Sequence, residues 1–330
     1  MINPEPLISV IMGVNRDEGN LHKSINSILN QTYTNLEFII MNDGNSDEVS
    51  QIINQINDNR IILVAKEKIG LTACLNAGID KSKGDYIARQ DAGDLSKQDR
   101  FFEQIKFLQS NPSISLCGTW VNEYSNSGTD LGLTMFPLAD QEIKKDILFQ
   151  NTFCHGSIII EKKVLTILKG YRNEFIRSQD YDLWLRVIES HNVANINKVL
   201  YSRIVSRDSI SFLNKKSQNE YARIARLCYD ARQLNNEEPL HLINNIKKDS
   251  FKISSSRKLK SIYNFYCGRR LYTNQKMKQS RIYFLHALIS YPFAVKNIIY
   301  IILTCLPNSF RLVLDRVWLR SKKKHKLKID

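Results

Sequence analysis

Four carboxylates, set in three short segments, are the side chains of this 330-residue sequence best suited to chemistry. They are Asp43, Asp91, Asp94 and Asp180. Asp43 precedes a glycine that lets the backbone turn closely, and its carboxylate can accept a hydrogen bond from the N–H of a nucleobase. Asp91 and Asp94 offer the oxygen ligands that Mg²⁺ and Mn²⁺ prefer, and such an ion can neutralise a departing diphosphate. The sequence thus predicts a polar ligand site.

Asp180 lies in the first turn of a predicted helix, where the helix dipole stabilises an anion. A carboxylate in that position suits a general base that removes the proton of an acceptor hydroxyl group. All three segments also fit plain structural roles. These are an N-capped turn after a strand, an aspartate cap before a helix, and a capping Asp180 beside core aromatics. The residues alone leave both interpretations open.

Strands and helices alternate over the first 110 residues and must position these acids. Apolar runs predict strands at 7–12, 36–41, 60–64 and 85–89, and helical spacing predicts helices beginning near 21, 47, 71 and 97. Such alternation is typical of βαβ units and of a parallel sheet covered on both faces. Ligands bind such sheets beyond the carboxyl ends of the strands. The loops that carry Asp43 and Asp91 follow two of these ends.

The predicted secondary structure changes twice along the rest of the chain. Short strands at 115–121, 157–160 and 193–196 are mixed with helices near 140–149 and 180–190. From about residue 214 onward the pattern is helical. We therefore place a domain boundary near residue 212.

In order and spacing, the acidic segments and their flanking elements resemble family 2 glycosyltransferases of the GT-A fold. The resemblance covers residues 7–210 and lies in ISVIMGVNRDEGNLHKSINSILNQTY, LEFIIMNDGNSD, GLTACLNAGIDKSKGDYIARQDAGD and SQDYDLWLR. This version is most similar to bacterial enzymes that extend surface polysaccharides such as O-antigen or capsule. The implied fold class is α/β, a Rossmann-like nucleotide-diphospho-sugar transferase domain followed by a helical C-terminal region.

The resemblance implies a domain organisation. Residues 1–212 would form the GT-A domain, with a nucleotide-sugar half at 1–112 and an acceptor half at 113–212. Residues 213–330 would form a basic, helical, membrane-associating region.

The resemblance also implies roles for individual residues. Asp43 would hold the uracil of a UDP-sugar, Asp91 would lie beside the ribose and the metal ion, and Asp180 would be the base. The implied reaction is inverting, with in-line attack of the deprotonated acceptor hydroxyl on the anomeric carbon as UDP leaves. The residues assigned to nucleotide-sugar binding are Asp43, Asn15, Arg89 and Asp91, and those assigned to a metal, Mn²⁺ or Mg²⁺, are Asp91 and Asp94.

Three positions depart from the usual family pattern. Asn42 and Gln179 stand where acids are common, and Gly93 stands where a carboxylate usually ligates the metal. Either Asp94 supplies that ligand, or the metal binds weakly, or catalysis is metal-independent. A catalytically impaired pseudo-glycosyltransferase, acting as a partner in a polysaccharide assembly complex, is therefore the alternative function.

Two basic residues near the acids have open roles. Arg89 fits contact with a diphosphate, and it fits an ion pair equally well. His155 fits a place near the acceptor or a structural position before a strand. The histidine that the family often has near the end of this domain is not evident at 201–211.

The charge of +14 is concentrated at the C-terminal end. Residues 251–330 contain 18 Lys and Arg against two acids, Asp315 and Asp330. An amphipathic helix is predicted at 310–318 and is followed by a basic run at 322–326. This pattern favours an anionic membrane surface as a partner, while a helix packed on the protein is the plainer alternative. Nucleic acid is disfavoured, because no base-stacking aromatics are interleaved with the cations.

The remaining features concern the compartment. The six cysteines are widely spaced without a C-x-x-C pair, which indicates reduced thiols, and the first residues lack the basic start of a secretory signal. The uncharged stretch 297–310 has 14 residues, fewer than the roughly 20 that span a bilayer. We expect a cytoplasmic protein, peripheral on the inner face of the cell membrane. It would transfer a hexose or N-acetylhexosamine from a UDP-sugar to a lipid-linked saccharide.

Overall fold

The computed structural model describes residues 5–207, 215–246 and 255–307. The chain forms two compact units, one made of residues 1–205 and 214–252 and the other of residues 206–213 and 253–330. The helix that begins at Lys215 therefore belongs to the first unit, although the sequence analysis assigned it to the C-terminal region.

A mixed β-sheet forms the centre of the first unit. Its strands are β1 (Ile8–Val14), β2 (Leu36–Asp43), β3 (Ile61–Lys66), β4 (Tyr86–Arg89), β5 (Leu95–Ser96), β6 (Ile114–Ser125), β7 (Asp130–Thr134), β8 (Ile159–Glu161) and β9 (Asn192–Val205). Its helices are α1 (Leu21–Leu29), α2 (Asp47–Asn54), α3 (Leu71–Lys81), α4 (Arg100–Ser110), α5 (Asp140–Asp146), α6 (Lys162–Ile167), α7 (Gln179–Val187) and α8 (Lys215–Gln233). Two short 3₁₀ helices lie at His155–Ser157 and Leu240–Asn245.

The strand order is β3-β2-β1-β4-β8-β6-β9-β5, with β7 paired to β6. The four strands β3, β2, β1 and β4 are parallel to one another, which confirms the prediction for the first part of the chain. Strand β8 then runs antiparallel to both β4 and β6, while β9 is parallel to β6. The complete sheet is therefore mixed rather than parallel.

The predicted elements of the first 110 residues are all present. Every residue of β2 is buried, as expected for a parallel strand covered on both faces. Helix α2 begins after Ser46, whose hydroxyl accepts a hydrogen bond from the backbone N–H of Val49. Local sequence patterns were sufficient to predict these strands and helices, because the buried residues and the helix caps mark the same element boundaries.

Two short strands, β5 and β7, and the length of β9 were not predicted. Strand β5 has only two residues, and β9 is predicted at 193–196 but runs from Asn192 to Val205. Its polar residues include buried Asn195, whose Nδ2 donates to the carbonyl oxygens of Pro137 and Thr152. Buried polar side chains that have hydrogen-bond partners interrupt the apolar pattern by which a strand is predicted, so the full length of β9 was missed.

A network of ion pairs joins α7 and α8 to the segments that flank them. The Asp182 carboxylate is fully buried and is paired with both Arg172 and Arg186. Arg172 also donates to Glu238 at 2.5 Å, and Arg232 donates to the same carboxylate at 2.7 Å. The SQDYDLWLR segment thus contains structural charges at Asp182 and Arg186, which its sequence did not distinguish from site residues.

The second unit contains three helices, α9 (Ser256–Thr273), α10 (Met277–Ser290) and α11 (Val295–Cys305). Aromatic rings of the three helices meet at its centre, with Tyr300 5.3 Å from Phe265 and 5.0 Å from Phe284. Among the described residues, no helix combines the length and apolar composition needed to cross a bilayer. The predicted helix at 310–318 and the basic run at 322–326 lie outside the described residues.

The Glu238 carboxylate provides a test of the ion-pair network through pH. Burial alone would raise the pKa of Glu238, but its hydrogen bonds and ion pairs with Arg172 and Arg232 outweigh burial and lower it. A lowered carboxyl pKa contributes stability above the ordinary value of 4.5 and loses it as pH falls through the folded-state value. We expect Glu238→Gln to lower the free energy of unfolding at pH 7 by about 2 kcal/mol.

The measurement is urea unfolding followed by tryptophan fluorescence, at pH 7 and at several values below 4.5. The difference between wild type and Glu238→Gln should shrink as pH falls. Glu237→Gln is the matched control, because Glu237 is the exposed neighbour. A difference that stayed constant with pH would show that the ionised carboxylate does not stabilise the fold.

Candidate active site

The ends of β1 and β2 bring the first site residues together. Val14 pairs with Asn42 across the two strands, so Asn15 and Asp43 leave the sheet side by side. Asp43 is buried, and its Oδ1 accepts hydrogen bonds from the backbone N–H groups of Ile69 at 2.7 Å and Gly70 at 3.1 Å. This carboxylate therefore holds the loop between β3 and α3 through one oxygen. Asn15 is exposed.

Asn42, one of the departures from the family pattern, has a structural role. Its Nδ2 donates to the carbonyl oxygen of Ser46 and to Oγ of Ser50, and its Oδ1 accepts from the N–H of Ser46. These bonds fix the turn between β2 and α2 around Asp43. An amide suits this position better than a carboxylate, because the side chain both donates and accepts.

Arg89, the last residue of β4, lies beneath the site and is only 1% exposed. Its Nη2 donates to Oδ1 of Asp91 at 2.7 Å, its Nε donates to Nε2 of His155 at 3.3 Å, and its Nη1 donates to the carbonyl oxygen of Ile11. The ion pair with Asp91 is one of the two roles that the sequence left open for Arg89. The Asp91 side chain is 39% exposed, so this acid extends from the buried arginine toward solvent.

His155 lies at the centre of the site. Its Nε2 is 2.8 Å from Oη of Tyr171, and its ring packs edge-on against Trp184. Burial lowers the pKa of His155 to about 4 and the charge of Arg89 adds to this effect, while Asp91 and Asp180 oppose it. The imidazole is therefore neutral at pH 7.

Asp94 is held inside the protein instead of being turned toward a ligand. Its Oδ1 accepts from the N–H of Ile204 at 2.7 Å and its Oδ2 accepts from Oη of Tyr201 at 2.9 Å. Burial, followed by the charge of Asp91, raises the pKa of Asp94 to about 8. Both oxygens of this predicted metal ligand thus have protein partners. The described part of the chain contains no group of three His, Cys, Asp or Glu side chains that could hold a metal ion.

Gly93 also has a local explanation. Its φ is +91°, a conformation that side-chain-bearing residues rarely adopt, and the N–H of Asp94 donates to the carbonyl oxygen of Asp91 across it. A glycine is therefore favoured at this turn. The turn directs the Asp94 side chain toward β9.

Two buried residues that sequence reasoning missed support the 91–94 turn. Gln90 donates from Nε2 to the carbonyl oxygen of Asp94 at 2.7 Å and to Oγ of Ser24 at 3.1 Å. Arg100 donates from Nη2 to the carbonyl oxygens of Arg89 and Ile158. Neither residue carried a sequence signal, because polar residues just after a strand or at a helix start are usually solvated.

Asp180 lies at the second position of α7 and is partly buried. Its Oδ2 accepts a hydrogen bond from Nδ2 of Asn151 at 2.7 Å, and the Oδ1 of Asn151 accepts from the N–H of Phe153. Asn151 therefore orients this carboxylate, a function that the sequence did not indicate. Trp184, one turn further along α7, packs against the ring of His155, so the helix that bears Asp180 lies beside this histidine.

Together, these contacts define a site at the carboxyl edge of the parallel strands. Asp43 and Asp91 lie at the ends of β2 and β4, the two neighbours of β1, and Asp180 lies on α7, whose Trp184 contacts His155. A neutral histidine paired with a buried arginine lies beneath Asp91. Such an arrangement can bind a base, face a diphosphate and accept a proton. Asp94 and Arg89 support this arrangement from within.

Comparisons with known proteins identify the family. The profile described as Glycosyl transferase family 2 matches residues 9–166. The chain is 35% identical over 219 residues to the putative glycosyltransferase EpsE of Bacillus subtilis, covering 64% of this chain and 77% of that protein. It is 34% identical over 185 residues to the O-antigen biosynthesis glycosyltransferase WbnJ of Escherichia coli, covering 55% and 72%. This chain belongs to glycosyltransferase family 2 and is a glycosyltransferase.

Solved structures show the same fold. The structure of S. aureus TarS 1–349 in complex with UDP-GlcNAc matches with a TM-score of 0.54 and 13% identity, over 90% of each chain. Mannosyltransferase PcManGT from Pyrobaculum calidifontis, in complex with GDP-Man and Mn²⁺, matches with a TM-score of 0.51 and 11% identity, over 86% of this chain and 76% of that one. The expected α/β GT-A fold is confirmed.

Gly156 provides a test of the packing beneath Asp91. A Cβ at this position would overlap Oη of Tyr201 and would lie 3.1 Å from Oδ2 of Asp91. Because Tyr201 is fully buried, it cannot move aside without disturbing its bond to Asp94. We expect Gly156→Ala to lower the free energy of unfolding by about 2 kcal/mol and to reduce sugar transfer at least tenfold.

Thermal unfolding and a transfer assay measure the two effects. Gly128→Ala is the control for activity: its positive φ strains an added side chain and should lower stability, but no atom lies within 4 Å of the new Cβ, so it should retain activity. If Gly156→Ala were as stable and active as wild type, the close packing of Tyr201 against this segment would be incorrect.

Proposed function

We propose that this protein is an inverting glycosyltransferase that transfers a hexose or N-acetylhexosamine from a UDP-sugar to a lipid-linked saccharide. The observation that carries the proposal is Asp180, a partly buried carboxylate that Asn151 orients at the start of α7, the helix whose Trp184 packs against His155. The structural neighbour TarS, which binds UDP-GlcNAc, supports a UDP-sugar donor, while PcManGT carries GDP-Man.

Asp43 is assigned to the base of the donor. Its Oδ1 is engaged by the amides of Ile69 and Gly70, and its Oδ2 accepts no hydrogen bond from the described residues. The free oxygen can accept from the N3–H of uracil while the other holds the loop. Asn15, which leaves β1 beside it, is assigned to the same nucleotide.

Asp91 is the carboxylate that fits a divalent metal. Arg89 holds its Oδ1, and the side chain is exposed enough for Oδ2 to face a diphosphate. Mn²⁺ or Mg²⁺ bound there would take most of its ligands from the diphosphate and would neutralise the leaving group. Asp94, with both oxygens engaged, is left out of this assignment.

Asp180 is assigned as the general base. It removes the proton of the acceptor hydroxyl as that oxygen forms its bond to the anomeric carbon. The bond between the anomeric carbon and the diphosphate oxygen breaks, and UDP leaves with the electron pair. Attack from the opposite face inverts the configuration at this carbon, and no covalent intermediate with the enzyme is formed.

Polysaccharide synthesis is the proposed setting. One relative is named for O-antigen biosynthesis, and another, 29% identical, is named as the amylovoran biosynthesis glycosyltransferase AmsE of Erwinia amylovora. We place the protein in the cytoplasm, peripheral on the inner face of the cell membrane, with its C-terminal region on an anionic surface. Residues 1–212 would contain the catalytic site. An O-antigen or a capsular polysaccharide would be its product.

Asp43→Asn separates the two roles of this carboxylate. The amide oxygen can still accept from Ile69 and Gly70, but the nitrogen that replaces the second oxygen presents a donor to the base. We expect unchanged thermal stability and at least tenfold weaker UDP binding by calorimetry, equivalent to about 1.4 kcal/mol. Asp47→Asn, an exposed acid four residues away, is the control. Unchanged UDP affinity in Asp43→Asn would exclude this carboxylate as the base-binding group.

Asp180→Asn is the experiment that tests the proposed function. It should reduce kcat about 100-fold or more while leaving UDP affinity within a few-fold, because the base acts on the acceptor rather than on the nucleotide. Initial rates with a UDP-sugar panel and a short water-soluble acceptor measure this loss. Glu174→Gln is the matched control, since it removes an exposed negative charge six residues before Asp180.

Two results would contradict the proposal. Retention of most of the turnover by Asp180→Asn would remove this residue from the chemistry. A wild-type chain that binds UDP-sugars but transfers none of them would favour the pseudo-glycosyltransferase.

A further inference from the structure

Large apolar side chains that are exposed to solvent concentrate in the second unit. Of the fifteen such residues in the described parts of the chain, eight lie between positions 282 and 302. Exposed apolar residues scattered singly are normal, whereas a concentration of them marks an interaction surface. The eight are Ile282, Leu285, Ile289, Phe293, Val295, Ile298, Ile299 and Ile302. We call them the apolar face of α10 and α11.

The exposed positions follow helical spacing on each helix. On α10, residues 282, 285 and 289 lie along one side, while Phe284 and Ala287 are fully buried on the other. On α11, residues 295, 299 and 302 lie along one side, and Asn297 and Thr304 are buried. Phe293 lies in the connection between the two helices and is 83% exposed. Each helix thus already packs through one side and presents an apolar stripe on another.

The charge of the same unit indicates what covers this face. Residues 255–307 contain nine Lys and Arg and no Asp or Glu. A second copy of the chain would bring the same positive charge to the contact, so self-association is disfavoured. An anionic lipid surface is complementary in both respects, because it accepts apolar side chains below its headgroups and attracts cations to them. The cations are Arg257, Lys258, Lys260, Arg269, Arg270, Lys276, Lys278, Arg281 and Lys296.

We propose that the apolar face of α10 and α11 is the surface through which this protein binds an anionic lipid bilayer. Helices α10 and α11 have 14 and 11 residues, lengths that fit helices lying in the interface and are too short to cross it. The assignment differs from the sequence expectation, which placed the anchor at 310–318. It rests on the proposed membrane location of the enzyme and is independent of the proposed sugar transfer.

The test is flotation of the full chain with vesicles, without any sugar donor. Wild type should bind vesicles of phosphatidylglycerol, and binding should fall several-fold in high salt and with pure phosphatidylcholine. The combined variant Ile289→Ser, Phe293→Ser and Ile302→Ser should partition at least tenfold more weakly. The matched control changes three exposed apolar residues of the first unit and should bind as wild type does. It combines Met135→Ser, Ile167→Ser and Leu234→Ser.

A second measurement covers the case in which the combined variant misfolds. In the single variant Phe293→Trp, the emission of the introduced tryptophan should shift to shorter wavelength when phosphatidylglycerol vesicles are added. In Leu234→Trp, the emission of the introduced tryptophan should not shift.

Three results would overturn the proposal. The first is that wild type does not bind these vesicles, and the second is that the folded combined variant binds them as tightly as wild type. The third is that the indole introduced by Phe293→Trp stays in a water-like environment. The second result would assign the bilayer contact to another segment, with 310–318 as the first candidate. Transfer to a water-soluble acceptor does not enter any of these readouts, so failure here leaves the proposed chemistry untouched.

Discussion

The buried guanidinium of Arg89 is the constraint on which the site depends. A charge removed from water must find hydrogen-bond acceptors, and Arg89 finds them on three separate segments. Its partners are the carbonyl oxygen of Ile11 on β1, the Asp91 carboxylate and the His155 ring. Satisfying one side chain therefore aligns a strand, a loop and a 3₁₀ helix at the same edge of the sheet. The orientation of Asp91 follows from it, and the charge of Arg89 adds to the burial that lowers the pKa of His155.

A second layer of buried polar groups keeps the 91–94 turn in place. Gln90 and Arg100 bond to backbone atoms around it, and Asp94 reaches across to Tyr201 and Ile204 on β9. The long β9 strand thus contacts the loop that bears Asp91. The departures from the usual family pattern have a structural explanation, because Asn42 fits the turn between β2 and α2 and Gly93 fits the 91–94 turn.

The sequence was informative where local pattern and tertiary structure agree. The first four strands, their helices and the placement of Asp43 and Asp91 at strand ends were all predictable from apolar runs and turn residues. The partners of Asp94 at Ile204, of Asp180 at Asn151, and of Arg89 at Ile11 and His155 were not predictable. Each of these partners lies between 29 and 110 positions away, and only the folded sheet brings it near. The sequence alone does not distinguish an aspartate that binds a ligand from an aspartate that is buried and bonded within the protein.

The two amide bonds to Asp43 have a consequence for how tightly a nucleotide can bind. Ile69 and Gly70 are held by the fold's own hydrogen bonds, so the loop between β3 and α3 is ordered as part of folding. Fixing the backbone of one residue costs about 1–2 kcal/mol of conformational entropy. Here folding bears that cost, so ligand binding does not. In the proposed binding mode, a base that docked against this loop would meet a preorganised surface, and more of its contact energy would remain available as affinity.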